Sequence, residues 1–298
     1  MAGMKQIKWK IKSVGNIKKM TRALEVVSTV KLQKVKKETE QYRDFLVEFL
    51  KIAQVINTKV DLFAKEDIQT EWKTLLVVLS TDKWLCWSIN AKLFKSIHAT
   101  YKLTKETVDI YAVWKKAQQY FAREWYNVIG TMTNKETDAP WDMSGVFSLL
   151  QHGIEDERYT SIAICFNYFR NPISQIPVEL QLMPLDKKTI SQFLKQIGDI
   201  DLESYMTENL EKKDLMLEPS AWFLRKEFQS QFMEHLVYGA LLQNKAGEFA
   251  SRMIAMKSAK DNAWEIIDKL TLQYNKARQW AITQEISEIV SAKIALED

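Results

Sequence analysis

From Leu242 onward, apolar residues step along the chain by three and four: Leu242, Ala246, Phe249, Met253, Met256, then Ala263, Ile267, Leu270, Tyr274, Ala277 and Ala281, with Lys260 alone breaking the series. A 3.5-residue period held this long marks a helix in a left-handed coiled coil, because a straight helix of 3.6 residues per turn carries its stripe off the seam. Pro219 is the last proline, so nothing breaks one helix from there to the C-terminus. At ~1.5 Å per residue that helix reaches about 110 Å. It cannot bury its stripe alone. The N-terminal pattern supplies a partner: Met4 to about Val60 reads as a second long helix, with Ile7, Ile11, Val14, Ile17, Met20, Leu24 and Val27, then Tyr42, Phe45, Phe49, Ile52 and Ile56, at helical spacing. Two such helices separated by a whole domain are expected to pair antiparallel. The first spans only about 80 Å, so the C-terminal tip is expected to project beyond the pair. Ile282, Ile286, Ile289, Val290 and Ile294 form an apolar stripe there with no partner left in the chain, the kind of surface that another protein covers.

Between the long helices the period switches to a βα alternation. Leu75–Leu79, Val108–Val113, Val128–Met132, Ser161–Tyr168 and Ile176–Met183 read as strands, and Ala91–Tyr101, Lys115–Trp125 and Trp141–His152 as helices. This pattern predicts a small, largely parallel sheet covered on both faces. The fold class is therefore α/β plus a long antiparallel α-helical coiled coil: the terminal helices form a rod and the middle is a small Rossmann-like α/β domain. The expected domains are residues 1–62, the N-terminal helix; 70–190, the α/β domain; 191–218, a connecting segment with a short helix; and 219–298, the C-terminal helix and tip.

Charge changes this picture in one place. Net charge is only +4, yet Met1–Lys37 holds eleven Lys and Arg against the single acid Glu25. The simplest reading is a solvated helical face; a stripe this basic equally suits an acidic partner, a phosphate backbone or an anionic membrane. Cys86 and Cys165 lie far apart and make no disulfide framework, which favours a reducing compartment. His98, His152 and His235 lack metal-ligand spacing. No run of eighteen apolar residues occurs, and the N-terminus lacks a signal-peptide pattern, so neither membrane spanning nor export by a cleaved signal is expected.

Candidate chemistry is sparse. Gly is scarce at 8 residues, and neither a dinucleotide fingerprint nor a P-loop is present, so no cofactor and no metal are expected. Cys86, after the first strand, has no histidine close in sequence and reads as structural rather than nucleophilic. Glu285 and Glu288, three apart on the tip, lack the pocket that acid–base work requires. Arg278 beside Gln279 and Trp280 reads either as a charged coiled-coil flank or as a two-pronged donor to a partner carboxylate.

The runs Phe249-Ala-Ser-Arg-Met253, Ala255-Met-Lys257, Asp261-Asn-Ala263, Tyr274-Asn-Lys-Ala-Arg278-Gln279 and Ala281-Ile-Thr-Gln-Glu-Ile286 closely resemble the γ subunit family of F-type ATP synthases. Ile11-Lys-Ser-Val14, Asn16-Ile17 and Lys19-Met-Thr-Arg-Ala23 resemble its opening helix, and Ser80-Thr-Asp82 with Leu85, Cys86 and Asn90 its first strand and loop. The resemblance implies a non-catalytic rotating shaft seated in an α3β3 hexamer, one copy per complex, with the α/β domain as a foot. It implies hexamer contacts at Arg278, Gln279, Thr283, Glu285 and Glu288 and along Ile282, Ile286 and Ile289. It also sets the basic residues Lys18, Lys19 and Arg22 against acidic segments of the β subunits. At the foot it implies an ε-like small subunit and a membrane ring, docked around Trp84, Cys86 and Trp87, and so a peripheral place on the cytoplasmic face of the membrane.

Trp84, Trp87 and Ser88 stand where the family has glycines, and Trp264 and Trp280 where it has Gly and Ala. Bulky residues there alter the loop's path. The expectations that follow are a γ-like rotor of ATP synthesis or hydrolysis and, as an alternative, a divergent motor driving non-proton work such as cell-surface motility. Two other classes remain: a basic coiled-coil nucleic-acid binder, against which Trp9 is the only aromatic before Tyr42, and a small α/β enzyme with helical arms.

Overall fold

In the computed structural model the described residues are 2–63, 73–81, 86–132, 144–155, 158–207, 218 and 220–297. The elements in chain order are α1 (Ala2–Asn57), β1 (Thr74–Leu79), α2 (Trp87–Tyr101), β2 (Val108–Val113), α3 (Lys115–Arg123), β3 (Asn127–Met132), α4 (Ser144–Glu155), β4 (Ser161–Phe169), β5 (Gln175–Met183), α5 (Lys187–Gly198), α6 (Leu202–Thr207) and α7 (Ala221–Glu297). The chain forms two units, Lys31–Ser251 and Met1–Val30 with Arg252–Asp298. The division falls inside both long helices.

In the larger unit the strand order is β3-β2-β1-β4-β5. The first four strands are parallel, as the βα alternation predicts, whereas β5 runs antiparallel to β4. The reason is the connection: a turn of a few residues suits a hairpin, while a parallel neighbour needs a long crossover. Asn171 closes that turn, its Oδ1 accepting from the N–H of Ile173 at 3.0 Å and of Ser174 at 2.7 Å. On one face of the sheet Leu76, Val78, Ile110 and Ala163 pack with Leu93, Phe94 and Ile97 of α2 and Ala117 and Phe121 of α3. Helix α2 begins at Trp87, earlier than the expected Ala91. In its first turn Asn90 bonds back to the residue that follows β1 and Ser80: its Oδ1 accepts from Thr81 N–H at 3.0 Å and its Nδ2 donates to Thr81 O at 3.1 Å.

Helix α7 threads this unit as core. Gly239 to Asn244 and Ala246 to Glu248 are buried without a free face, the pattern of a helix inside a domain rather than on it. Buried amides fasten it to the sheet. Asn244 Oδ1 accepts from Asn167 N–H at 3.2 Å, Asn244 Nδ2 donates to Ser80 O at 3.3 Å, and Gln243 Oε1 accepts from Phe169 N–H at 3.3 Å. Each partner satisfies a polar group that burial would otherwise penalise.

Within the larger unit α1 and α7 pair antiparallel: Lys31 lies over the Phe249 ring, Tyr42 packs edge-on to Tyr238, and Phe49 stacks on Phe232 and Phe228. The Tyr42 hydroxyl donates to the carbonyl of His235. Burial pushes this phenol well above its usual range, so it stays a donor. Gly239 makes the approach possible, since a Cβ there would sit 2.8 Å from the Tyr42 hydroxyl.

The seam of α1 differs from the expected one. Its inward positions follow a strict heptad through Val14, Thr21, Ser28, Val35 and Tyr42, and through Lys18, Glu25, Leu32, Thr39, Leu46 and Ala53, all buried or half-buried. Ile17, Met20, Val27, Phe45 and Ile52, expected on the seam, are exposed by 48%, 61%, 49%, 48% and 61%. The others of the expected series, Ile7, Ile11, Val14, Leu24, Tyr42, Phe49 and Ile56, are buried or half-buried; the exposed ones lie beside the heptad that α7 imposes, with Phe45 still edge-on to His235 of α7. In the smaller unit the α7 seam is as expected: Met256 and Ala263 are buried and Ile267, Leu270, Tyr274, Ala277 and Ala281 half-buried, while Trp264, Ile266 and Leu272 face out. Lys260, the break in the apolar series, donates to Glu25 Oε2 at 2.7 Å.

Replacing Asn244 with Leu leaves Asn167 N–H and Ser80 O without their partner inside the core. The expected loss is about 2–3 kcal/mol of unfolding free energy by urea titration. Ile267→Asp, which puts an unpaired carboxylate on the seam, should cost several kcal/mol, roughly 3 or more, in the same measurement.

Candidate partner interface

Among the described residues no group of His, Cys, Asp and Glu is arranged to hold a metal ion, and no helix is long and apolar enough to cross a membrane. The features that stand out are surfaces. Beyond Ala281 every side chain through Lys293 is exposed. Counting back from Glu25 to Met4 and forward from Lys260 by the same number of residues reaches Ala281, and both end positions are half-buried. The pairing therefore runs out there.

On this tip Ile282, Ile286 and Ile289 are exposed by 49%, 56% and 69% and share one helical face. Arg278 stands one turn before Ile282 and Glu285 three residues after it, so a cation and a carboxylate border the stripe. Gln279 and Thr283 border the other side, with Thr283 Oγ1 donating to Gln279 O at 3.0 Å. Glu288 Oε1 accepts from Gln284 Nε2 at 2.9 Å. The expected tip residues thus share one stretch of exposed helix, while the side chain of Ile294 lies outside the described residues.

The basic residues of α1 divide. Lys18 is half-buried at a seam position, whereas Lys19 and Arg22 are exposed. In this stretch α1 is inside out. Thr21 and Ser28 are buried on the seam, their hydroxyls donating back to Ile17 O at 3.0 Å and Leu24 O at 2.7 Å, while Ile17, Met20, Val26, Val27 and Val30 face outward. Further along, Lys5, Lys8, Trp9 and Lys12 line a shallow concavity with Ile11. Sequence reasoning placed Ile17, Met20 and Val27 on the seam and so missed this apolar outer face. The available signal was the polar heptad Lys18, Thr21, Glu25, Ser28.

At the α/β unit the expected docking loop is only partly described. Trp84 lies outside the described residues, as does the side chain of Trp87. Cys86 is buried, 2% exposed, with Sγ 3.4 Å from Thr81 Oγ1. Burial, with Glu179 adding to it, pushes the Cys165 thiol well above its usual range, which removes it as a nucleophile. Two exposed apolar residues escaped the sequence reading: Leu103 after α2, exposed by 95%, and Trp125 after α3, exposed by 88% with φ 63°.

An α/β unit threaded by one of two antiparallel terminal helices, with an unpaired apolar tip, is the fold of a rotary ATPase central stalk. The rotor of the Euglena gracilis mitochondrial ATP synthase matches with TM-score 0.62 at 15% identity over 94% of this chain and 99% of that one. The central stalk of the Tetrahymena thermophila mitochondrial enzyme matches with TM-score 0.55 at 21% identity over 80% and 99%. The family model described as ATP synthase matches residues 3–296. The ATP synthase gamma chain of Legionella pneumophila strain Corby is 34% identical over 310 residues, covering 99% of this chain and 100% of its own, and that of Halothermothrix orenii is 31% identical over 100% of both. This chain belongs to the ATP synthase gamma chain family. These relatives are all subunits or assemblies of ATP synthases, which gives no support to a motility motor or a nucleic-acid binder.

Because Arg278 and Ile286 are exposed, Arg278→Ala and Ile286→Ser should leave the folded chain intact, changing unfolding free energy by no more than about 0.5 kcal/mol. A thermal melt of each variant beside the unsubstituted chain checks this.

Proposed function

We propose that the chain is the central rotor of an F-type ATP synthase, present once per complex, non-catalytic itself, and turning inside a ring of α- and β-type subunits. Family membership sets the class. The observation that carries the reading is the tip beyond Ala281, an exposed apolar helix face bordered by Arg278, Gln279, Thr283, Glu285 and Glu288. An apolar stripe of this kind lowers its free energy when a sleeve removes it from water. The sleeve is the inner wall of the hexamer, and Lys19 and Arg22 on α1 meet acidic segments of its β-type subunits.

Differential contact is how such a subunit works. The outline of the two helices is not threefold symmetric: a cation and a carboxylate border one side of the tip stripe and an amide and a hydroxyl the other. Each surrounding site therefore meets a different surface, and three like sites take different nucleotide affinities. Turning the rotor permutes those affinities, and nucleotide turnover turns the rotor. The α/β unit carries the load, an ε-like small subunit and a membrane ring, which holds the protein peripherally on the cytoplasmic face of the membrane.

The test is reconstitution. The purified chain alone should hydrolyse no ATP, and with α- and β-type subunits it should restore rotation-coupled hydrolysis; robust hydrolysis by the isolated chain would overturn the reading. Arg278→Ala should lower coupled turnover by roughly 5- to 30-fold, the loss of about 1–2 kcal/mol from one charge-assisted contact, with folding unchanged.

A further inference from the structure

Lys260 is the one position that breaks the apolar series of α7, and it faces the one acid among the eleven cations of Met1–Lys37. The Nζ of Lys260 lies 2.7 Å from Glu25 Oε2, with the two side chains only 25% and 20% exposed. On the same seam Thr21 and Ser28 spend their hydroxyls on carbonyls of their own helix. The outward face of this stretch carries Met20, Val27 and Val30 together with Lys19 and Arg22. Its cations and apolar groups stand without an acid because Glu25 is turned inward.

We propose that Lys260 is a positioning residue for partner binding: by holding Glu25 in the seam it keeps the outer face of α1 cationic and apolar, matched to an acidic segment of the surrounding subunits. The proposal rests on the rotor reading above. Without Lys260 two effects act in the same direction. A carboxylate at the seam turns toward water and opposes the approach of an acidic partner. Glu25 also lies one helical turn from Arg22, so pairing between them cancels a cation of the binding face. An apolar replacement of Lys260 extends the seam, so a purely structural role predicts unchanged or tighter assembly, opposite to the electrostatic one.

The experiment measures assembly of the full-length chain with purified α- and β-type subunits over a range of salt concentrations. Lys260→Met should weaken assembly by about 3- to 10-fold at low salt. The difference should shrink at high salt as screening removes it. Lys260→Arg, and the double variant Glu25→Gln with Lys260→Met, should both restore the original affinity. Circular dichroism monitors the fold, and if Lys260→Met unfolds, the neutral double variant decides: restored assembly supports the proposal. Unchanged affinity in Lys260→Met, or a folded double variant as weak as the single one, would overturn it. Failure of the unsubstituted chain to assemble would overturn the rotor reading as well.

Discussion

Removing one apolar stripe from water along a helix that cannot bury it alone is the constraint on which everything else in this chain depends. The stripe on α7 repeats every 3.5 residues, and the partner must come from the other end of the polypeptide. The antiparallel pairing of α1 and α7 follows, and with it a heptad on α1 that need not coincide with that helix's most apolar row. Tyr42 against Gly239 and Phe49 against Phe228 and Phe232 express that alignment in the larger unit, and Glu25 against Lys260 pairs the helices within the smaller one. Where the alignment leaves α7 without a partner, after Ala281, the stripe becomes a surface.

The sheet serves this arrangement. Its βα crossovers put helices α2 and α3 on one face, and the β4–β5 hairpin adds an antiparallel edge. α7 enters the core, and its amides at Gln243 and Asn244 answer backbone groups of β4 and the end of β1. Buried amides in a helix are costly unless answered, so their placement opposite Asn167, Phe169 and Ser80 is part of what specifies how the helix seats.

Much of this was legible in the residues alone. Both long helices, the five strands and their order along the chain follow from periodicity, because a period of two or of three and a half is a direct consequence of which face is buried. The tip was legible for the same reason. The α1 seam was legible only in part: between Ile17 and Val30 an apolar row and a polar row of similar spacing run along that helix, and only the partner decides which is inside. Ile17 and Met20 look like core by composition, whereas Thr21 and Ser28, which are core, look like surface. A largely parallel sheet was expected, and the direction of its edge strand was not legible in strand composition, because it is set by connection length. Cys86 was placed at a docking surface by resemblance, whereas its side chain is buried.

The enclosure of α7 between Gly239 and Glu248 has a mechanical meaning. A helix seated against a sheet on one side can roll about its own axis by exchanging side-chain rotamers at small cost. One enclosed all round, with amides keyed to strand backbones, cannot roll without breaking polar bonds in the interior. Torque on this part of α7 is therefore handed to the sheet as a whole, as through a splined coupling, and the compliance of the molecule resides outside that segment.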